Sequence, residues 1–186
     1  VGKYLDIGDY QLKDSYISVN EALKHAGSFH NCDVKIKWID SKLFENGEGL
    51  EMLKDFDGLL IPGGFGKGGV EGKINAIRFS RENNVPFLGL CLGLQLAVVE
   101  FARNVCGLDA GSSEVDDRVK DPVVKILDDQ VGVVNKGASM RLGSCEAVLK
   151  EGSMVSELYG KLRVSERHRH RYEVNPDYHS ILESNG

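Results

Sequence analysis

Apolar positions along the first 105 residues alternate between the period of a strand and the period of a helix. "GKYLDI" at residues 2–7 reads as a short strand. "SYISVNEALKHAG" then sets Ile17, Ala22, Leu23 and Ala26 near one helical face, with Gly27 expected to stop the helix. In "DVKIKWID" Val34, Ile36 and Trp38 alternate with Lys35 and Lys37, which predicts a strand with one wetter face. A short helix over "GLEMLKDF" follows. "DGLLIPGG" is an apolar run closed by Pro62 and two glycines, "GGVEGKINAIRFSRENN" is helical, "VPFLGLC" is a second buried run of strand length, and "LGLQLAVVEFARNV" is a mostly apolar helix.

The remainder is less regular. "GLDAGSSEVDDRVKD", residues 107–121, is polar and turn-rich and reads as an exposed loop. "VGVVNKGASMRLGSCEAVL" suggests strands around a turn at Asn135, Lys136 and Gly137, "SMVSELYG" a short helix capped by Ser153, and "LRVSERHRHRYEV" a strand before a final helix from Pro176. Strands alternating with helices imply an α/β fold, doubly wound and flavodoxin-like. Its mainly parallel sheet carries helices on both faces, because right-handed crossovers lay helices over the sheet. Such folds bind ligands at the carboxyl ends of their strands, where both "PGG" and Cys91 fall.

Length and composition narrow the picture. A chain of 186 residues suits one domain. A net charge of −5 argues against a sequence-independent grip on nucleic acid, which needs a positive surface. No apolar run reaches the roughly 18 residues of a membrane span, and "VGKYLDIGDY" lacks the basic-then-apolar order of a signal peptide, so an intracellular, cytoplasmic protein without a membrane partner is expected. Cys32, Cys91, Cys106 and Cys145 form no C-x-x-C pair, so neither a zinc site nor a redox dithiol is expected. Val1 is no natural initiator, which suggests a piece of a longer protein.

"GLCLG", residues 89–93, has the G-x-Nu-x-G form of a nucleophile elbow, in which a sharp strand-to-helix turn exposes the nucleophile. The helix that follows favours thiolate at Cys91 by about half a pKa unit, and the Leu92 N–H lies beside any carbonyl that Cys91 attacks. The plainer alternative is a buried, inert cysteine in a glycine-flanked turn. At the other strand end Gly64, Gly66 and Gly69 match G-x-G-x-x-G, but they follow the third predicted strand rather than the first, and the next strand supplies no acidic end for a ribose. Backbone N–H groups there could instead complete an oxyanion hole, or the loop could be a simple turn. In "ERHRHRY" a continuous strand puts Glu166, His168, His170 and Tyr172 on one face and Arg167, Arg169, Arg171 and Glu173 on the other. The spacing completes no metal set. The arginines suit a substrate carboxylate or a merely solvated strand.

Taken together, "PGGFG", "FLGLCLGLQLAVVEFARNV", "GSSEVD", "KGASMRLG" and "SERHRHRYEVN" resemble the class I glutamine amidotransferase domain of CTP synthase, and the similarity runs from "VGKY" to the end. The resemblance implies that Cys91 attacks the side-chain amide of L-glutamine, giving a glutamyl thioester and ammonia. It implies an oxyanion hole at Gly64 and Leu92 and glutamine binding by Gln95, Glu114 and Arg171, with Glu114 drawing the ammonium and Arg171 the carboxylate. Phe65 and Arg141 fall in segments that the family associates with activation by GTP and closure of a lid. The domain itself then needs no cofactor. ATP and magnesium belong to a synthetase domain in cis, absent here, which makes CTP from UTP in a homotetramer.

One departure stands against these matches. The family completes its triad with a histidine and a glutamate in an "HPE" motif, which occurs nowhere in these 186 residues, and His25, His30, His168, His170 and His179 stand in other motifs. Without that imidazole Cys91 lacks a base and departing ammonia an acid, roles worth about 10² to 10⁴-fold each, so the chain is expected to trap glutamine analogues better than it turns over glutamine. Two other readings stay open: a noncatalytic, nucleotide-responsive regulatory or assembly module, and another cysteine hydrolase on the same fold.

Overall fold

The computed structural model describes residues 1–2, 16–132 and 141–186. They form two compact units, one of Val1–Lys125 with Val174–Gly186 and one of Ile126–Glu173.

In the first unit α1 (Ile17–Phe29) runs two residues past Gly27. It ends in a Schellman turn: Asn31 takes φ 54°, its N–H donates to Ser28 O, and Cys32 N–H donates to Gly27 O at 2.8 Å. Gly27 is therefore not the stop. A Cβ there would meet Val34 Cγ2 at 2.6 Å, so its bareness serves the return of the chain across the helix. The strand predicted at residues 33–40 is not formed among the described residues. Only Gly2 and Asp40 make a parallel bridge, with Gly2 N–H donating to Ile39 O and Ser41 N–H to Gly2 O. Trp38, the last of the alternating residues, stacks on Tyr16 at 4.4 Å and donates to Asn20 Oδ1. Residues 3–7 of the predicted first strand lie outside the described residues.

The helix expected over "GLEMLKDF" is a 3₁₀ segment, Leu50–Asp55. Both apolar runs of strand length do become strands, β1 (Leu59–Ile61) and β2 (Phe87–Gly89), paired in parallel with Leu59 opposite Phe87. Each leads into a 13-residue helix, α2 (Val70–Glu82) and α3 (Leu92–Asn104). These helices bury Val70, Ile74 and Ile77 on one and Leu92, Leu96 and Val99 on the other. Glu100, 1% exposed, is tolerated inside because Arg81 donates three bonds to its carboxylate at 2.8 to 3.2 Å. Gly72 admits the 3₁₀ turn Ser41–Phe44 onto α2, where a Cβ would run into the Ser41 carbonyl.

The stretch read as an exposed loop contains a buried strand, β3 (Ala110–Ser112), parallel to β4 (Asp121–Ile126) with Ala110 opposite Asp121. "AGS" looks like turn sequence, yet its small side chains are what let Val119 close over it: a Cβ on Gly111 would stand 2.6 Å from Val119 Cγ2.

In the second unit β5 (Arg141–Val148) and β6 (Arg163–His170) form an antiparallel hairpin. The predicted turn at residues 135–137 lies outside the described residues. The hairpin ends are joined through α4 (Met154–Tyr159), whose Ser153 cap accepts from Ser156 N–H as expected. The strand does not continue unbroken: it bends at Arg171 before β7 (Tyr172–Val174), so Arg171 leaves the row that holds Arg167 and Arg169. The chain re-enters the first unit at Val174; Asn175, buried, donates to Val123 O and Pro122 O, and α5 (His179–Asn185) follows. The α/β fold class follows from these parallel pairs and their helices. Among the described residues no helix is long and apolar enough to cross a membrane.

Candidate active site

Three short stretches of the first unit build the site around Cys91. The sulfur stands where β2 gives way to α3, at φ 53° and ψ −109°. That left-handed φ costs a non-glycine residue about 1 to 3 kcal/mol, and the surrounding packing imposes it. Leu90 N–H donates to Ile61 O at 2.9 Å, Gly93 N–H to Leu90 O, and Gln95 N–H to Cys91 O. The flanking glycines are sterically required. A Cβ on Gly89 would lie 2.6 Å from Leu94 N, and one on Gly93 would run into the Ile61 carbonyl.

The loop after β1 comes against the sulfur. A Cβ on Gly63 would stand 3.5 Å from Cys91 Cβ and 3.9 Å from its Sγ. Gly64 is the next residue, half-buried, and Phe65 after it is exposed. Sequence reasoning singled out Gly64 and missed Gly63, although the glycine pair of "PGG" was the available signal.

Cys91 is exposed, yet partial withdrawal of its sulfur from water pushes the thiol pKa up. The Leu92 N–H pulls it down, Glu114 raises it and Lys73 lowers it, in that order of weight, and desolvation wins. Burial thus outweighs the Leu92 amide that was expected to favour thiolate. Lys73 was also missed. It is fully buried on α2, three residues after Val70 and four before Ile77 on the apolar face, which is the pattern that could have marked it. Within the first unit none of His25, His30 and His179 is among the groups that shift the thiol.

Gln95 is buried on the first turn of α3. Glu114 is held by a turn organised on Ser112, whose Oγ accepts from Glu114 N–H at 3.2 Å and whose carbonyl accepts from Val115 and Asp116. Its charge reaches Cys91. Cys91, Leu92, Gln95, Glu114 and Gly64 thus belong to one unit. Arg171 belongs to the other, where its Nη2 donates to Gln130 O at 3.3 Å. Arg141 opens β5 opposite His170, and only its backbone is described. Among the described residues no three His, Cys, Asp or Glu side chains gather as a metal site requires.

The arrangement predicts a pH profile. Alkylation of Cys91 by iodoacetamide should rise with pH through a midpoint above that of an unperturbed cysteine, since the neutral thiol is the favoured form. Glu114→Gln should move the midpoint down by removing a negative charge that opposes thiolate. A wild-type midpoint below the ordinary thiol value, measured by peptide mass spectrometry, would contradict this account.

Comparison with known proteins supplies the context of this geometry. The family model for glutamine amidotransferase class-I matches residues 11–185. CTP synthase of Methanococcus maripaludis is 52% identical over 192 residues, covering all of this chain and 35% of that protein. CTP synthase of Methanopyrus kandleri is 55% identical over 190 residues, with 100% and 35% covered. The chain thus spans about a third of the length of these relatives. A solved structure of the Trypanosoma brucei CTPS glutaminase domain, with bound acivicin, superposes with a TM-score of 0.87 at 36% identity, covering 100% of this chain and 72% of that one.

Proposed function

Because this chain belongs to the class-I glutamine amidotransferase family, we propose that it is the glutaminase portion of a CTP synthase and that Cys91 is its nucleophile. The observation that carries this reading is a strained, solvent-reachable sulfur at the start of α3, faced by the glycine loop after β1.

In this reading the Cys91 thiolate adds to the side-chain amide carbon of L-glutamine. Oxygen takes the negative charge and rests against the N–H groups of Leu92 and Gly64, donors fixed before the reaction begins. Collapse breaks the C–N bond, and the nitrogen takes up a proton and leaves as ammonia. Water then cleaves the glutamyl thioester to glutamate and restores the thiol. Glu114 attracts the substrate's ammonium, and the family resemblance assigns its carboxylate to Arg171, whose guanidinium fork suits two oxygens. Gln95 lines the same pocket from α3. The raised thiol pKa means that Cys91 needs a base to lose its proton at neutral pH, the task of the imidazole in the family's "HPE" motif. Ammonia passes to a synthetase portion in cis that converts UTP to CTP with ATP and magnesium, in a homotetramer. GTP acts through the segments of Phe65 and Arg141.

The test is covalent capture. A glutamine-like electrophile should modify Cys91 stoichiometrically and glutamine should protect it. Equal labelling of Cys32, Cys106 and Cys145 without protection would remove the basis for a nucleophile. Calorimetry that found GTP binding and no engagement of glutamine would favour a regulatory module.

A further inference from the structure

α4 is inside out. Its only buried residue is the polar Ser156, whose hydroxyl turns back to donate to Ser153 O, while every apolar residue of the helix faces water. Met154 is 74% and Leu158 79% exposed, one turn apart on one face, and Val155 and Tyr159 repeat that spacing beside them. Val148 at the end of β5, 69% exposed, and Leu162 just before β6, 45% exposed, flank α4 in the sequence, where Leu149 N–H donates to Leu162 O. Isolated exposed apolar residues need no explanation, but six within fifteen residues of sequence do. Glycines bound the helix, Gly152 at φ 73° before it and Gly160 at φ 62° after it, so the display is fixed by turns rather than by fraying.

We propose that this face is a self-association surface and that its occupant is α4 of a second copy of the chain, packed antiparallel about a two-fold axis. Two observations select that partner. The first is area: the six side chains leave roughly 600 Å² uncovered per chain, so isologous pairing would remove about 1,200 Å², the lower bound for a specific interface. The second is charge. Lys150 and Glu151 precede the helix, Glu157 and Lys161 lie at its other end, and all four are exposed. An antiparallel two-fold sets Glu151 of one copy against Lys161 of the other, twice over, so the rim complements itself as an isologous contact must. Every residue involved lies within the second unit, and the inference does not rest on the catalytic reading above.

Sedimentation equilibrium of the 186-residue chain, from micromolar to sub-millimolar concentration, tests it. The wild type should show a reversible monomer–dimer equilibrium. Leu158→Glu should weaken it at least about tenfold with an unchanged melting temperature, because the side chain it replaces touches mainly water in the monomer. Glu151→Lys and Lys161→Glu should each weaken the dimer, and the two together should restore it. A chain that is monomeric throughout the range overturns the proposal, including the case in which another part of a longer protein covers α4. A dimer indifferent to Leu158→Glu overturns it by placing the contact elsewhere, and failure of the paired charge swap to restore association overturns the antiparallel arrangement.

Discussion

Gly93→Ala should unfold or severely destabilise the first unit, by about 4 kcal/mol or more, against a helix-propensity gain of only about 1 kcal/mol. Gly93 sits in the first turn of α3, where alanine would ordinarily be the better residue. Here a Cβ would run into the Ile61 carbonyl oxygen and stand 2.8 Å from its carbon and 3.0 Å from Ile61 Cβ. That carbonyl cannot step aside cheaply, because it accepts from Leu90 N–H at 2.9 Å and belongs to β1 in register with β2. Relief must therefore come from lifting α3 off the sheet, which exposes Leu92, Leu96 and Val99 and moves the turn that aims Cys91. Gly68→Ala is the control: no atom lies within 4 Å of its added Cβ, so stability should change by no more than about 0.5 kcal/mol. Chemical denaturation of both variants checks the contrast, and equal small effects at the two positions would refute the steric argument.

Gly93 also shows what the sequence makes legible. The elbow could be read because its chemistry is local: two apolar runs, glycines at fixed offsets and a helical period beyond them are all properties of neighbouring residues. α2, α3 and the Ser153 cap of α4 were legible for the same reason. What failed were properties set by distant partners. Residues 33–40 alternate correctly for a strand, yet pairing needs a neighbour, and beyond Gly2 the described residues supply none. Gly27 looks like a helix stop from its own chemistry, whereas in the fold its missing Cβ makes room for Val34. Residues 110–112 look like a turn until β4 lies beside them. The net rise of the Cys91 pKa was not legible either, because a helix N-terminus is visible in sequence and desolvation by folded walls is not. The bend at Arg171 likewise escaped a periodicity that assumes one continuous strand.

Cys91→Gly should abolish capture of a glutamine-like electrophile and, in the same molecule, raise stability by about 1 kcal/mol. The gain follows from the backbone. Residue 91 holds φ 53° and ψ −109°, a conformation that costs a side-chain-bearing residue about 1 to 3 kcal/mol and glycine little, and the extra freedom of glycine in the unfolded chain returns part of the difference. Cys91→Ser separates the two effects. Serine retains the strained backbone and a Cβ, so stability should stay near wild type while capture is lost, because an alcohol without a base is a far weaker nucleophile than even a raised-pKa thiol. Denaturation midpoints read with stoichiometric labelling would then place strain and reactivity at one residue. If glycine destabilised as cavities in a core do, Cys91 would be a packing residue. If serine kept the labelling, the sulfur would not be the atom that attacks. The strained turn holds Sγ beside the Leu92 N–H, and the proposed attack on glutamine would use that placement, with nucleophile and oxyanion donor set together before substrate arrives.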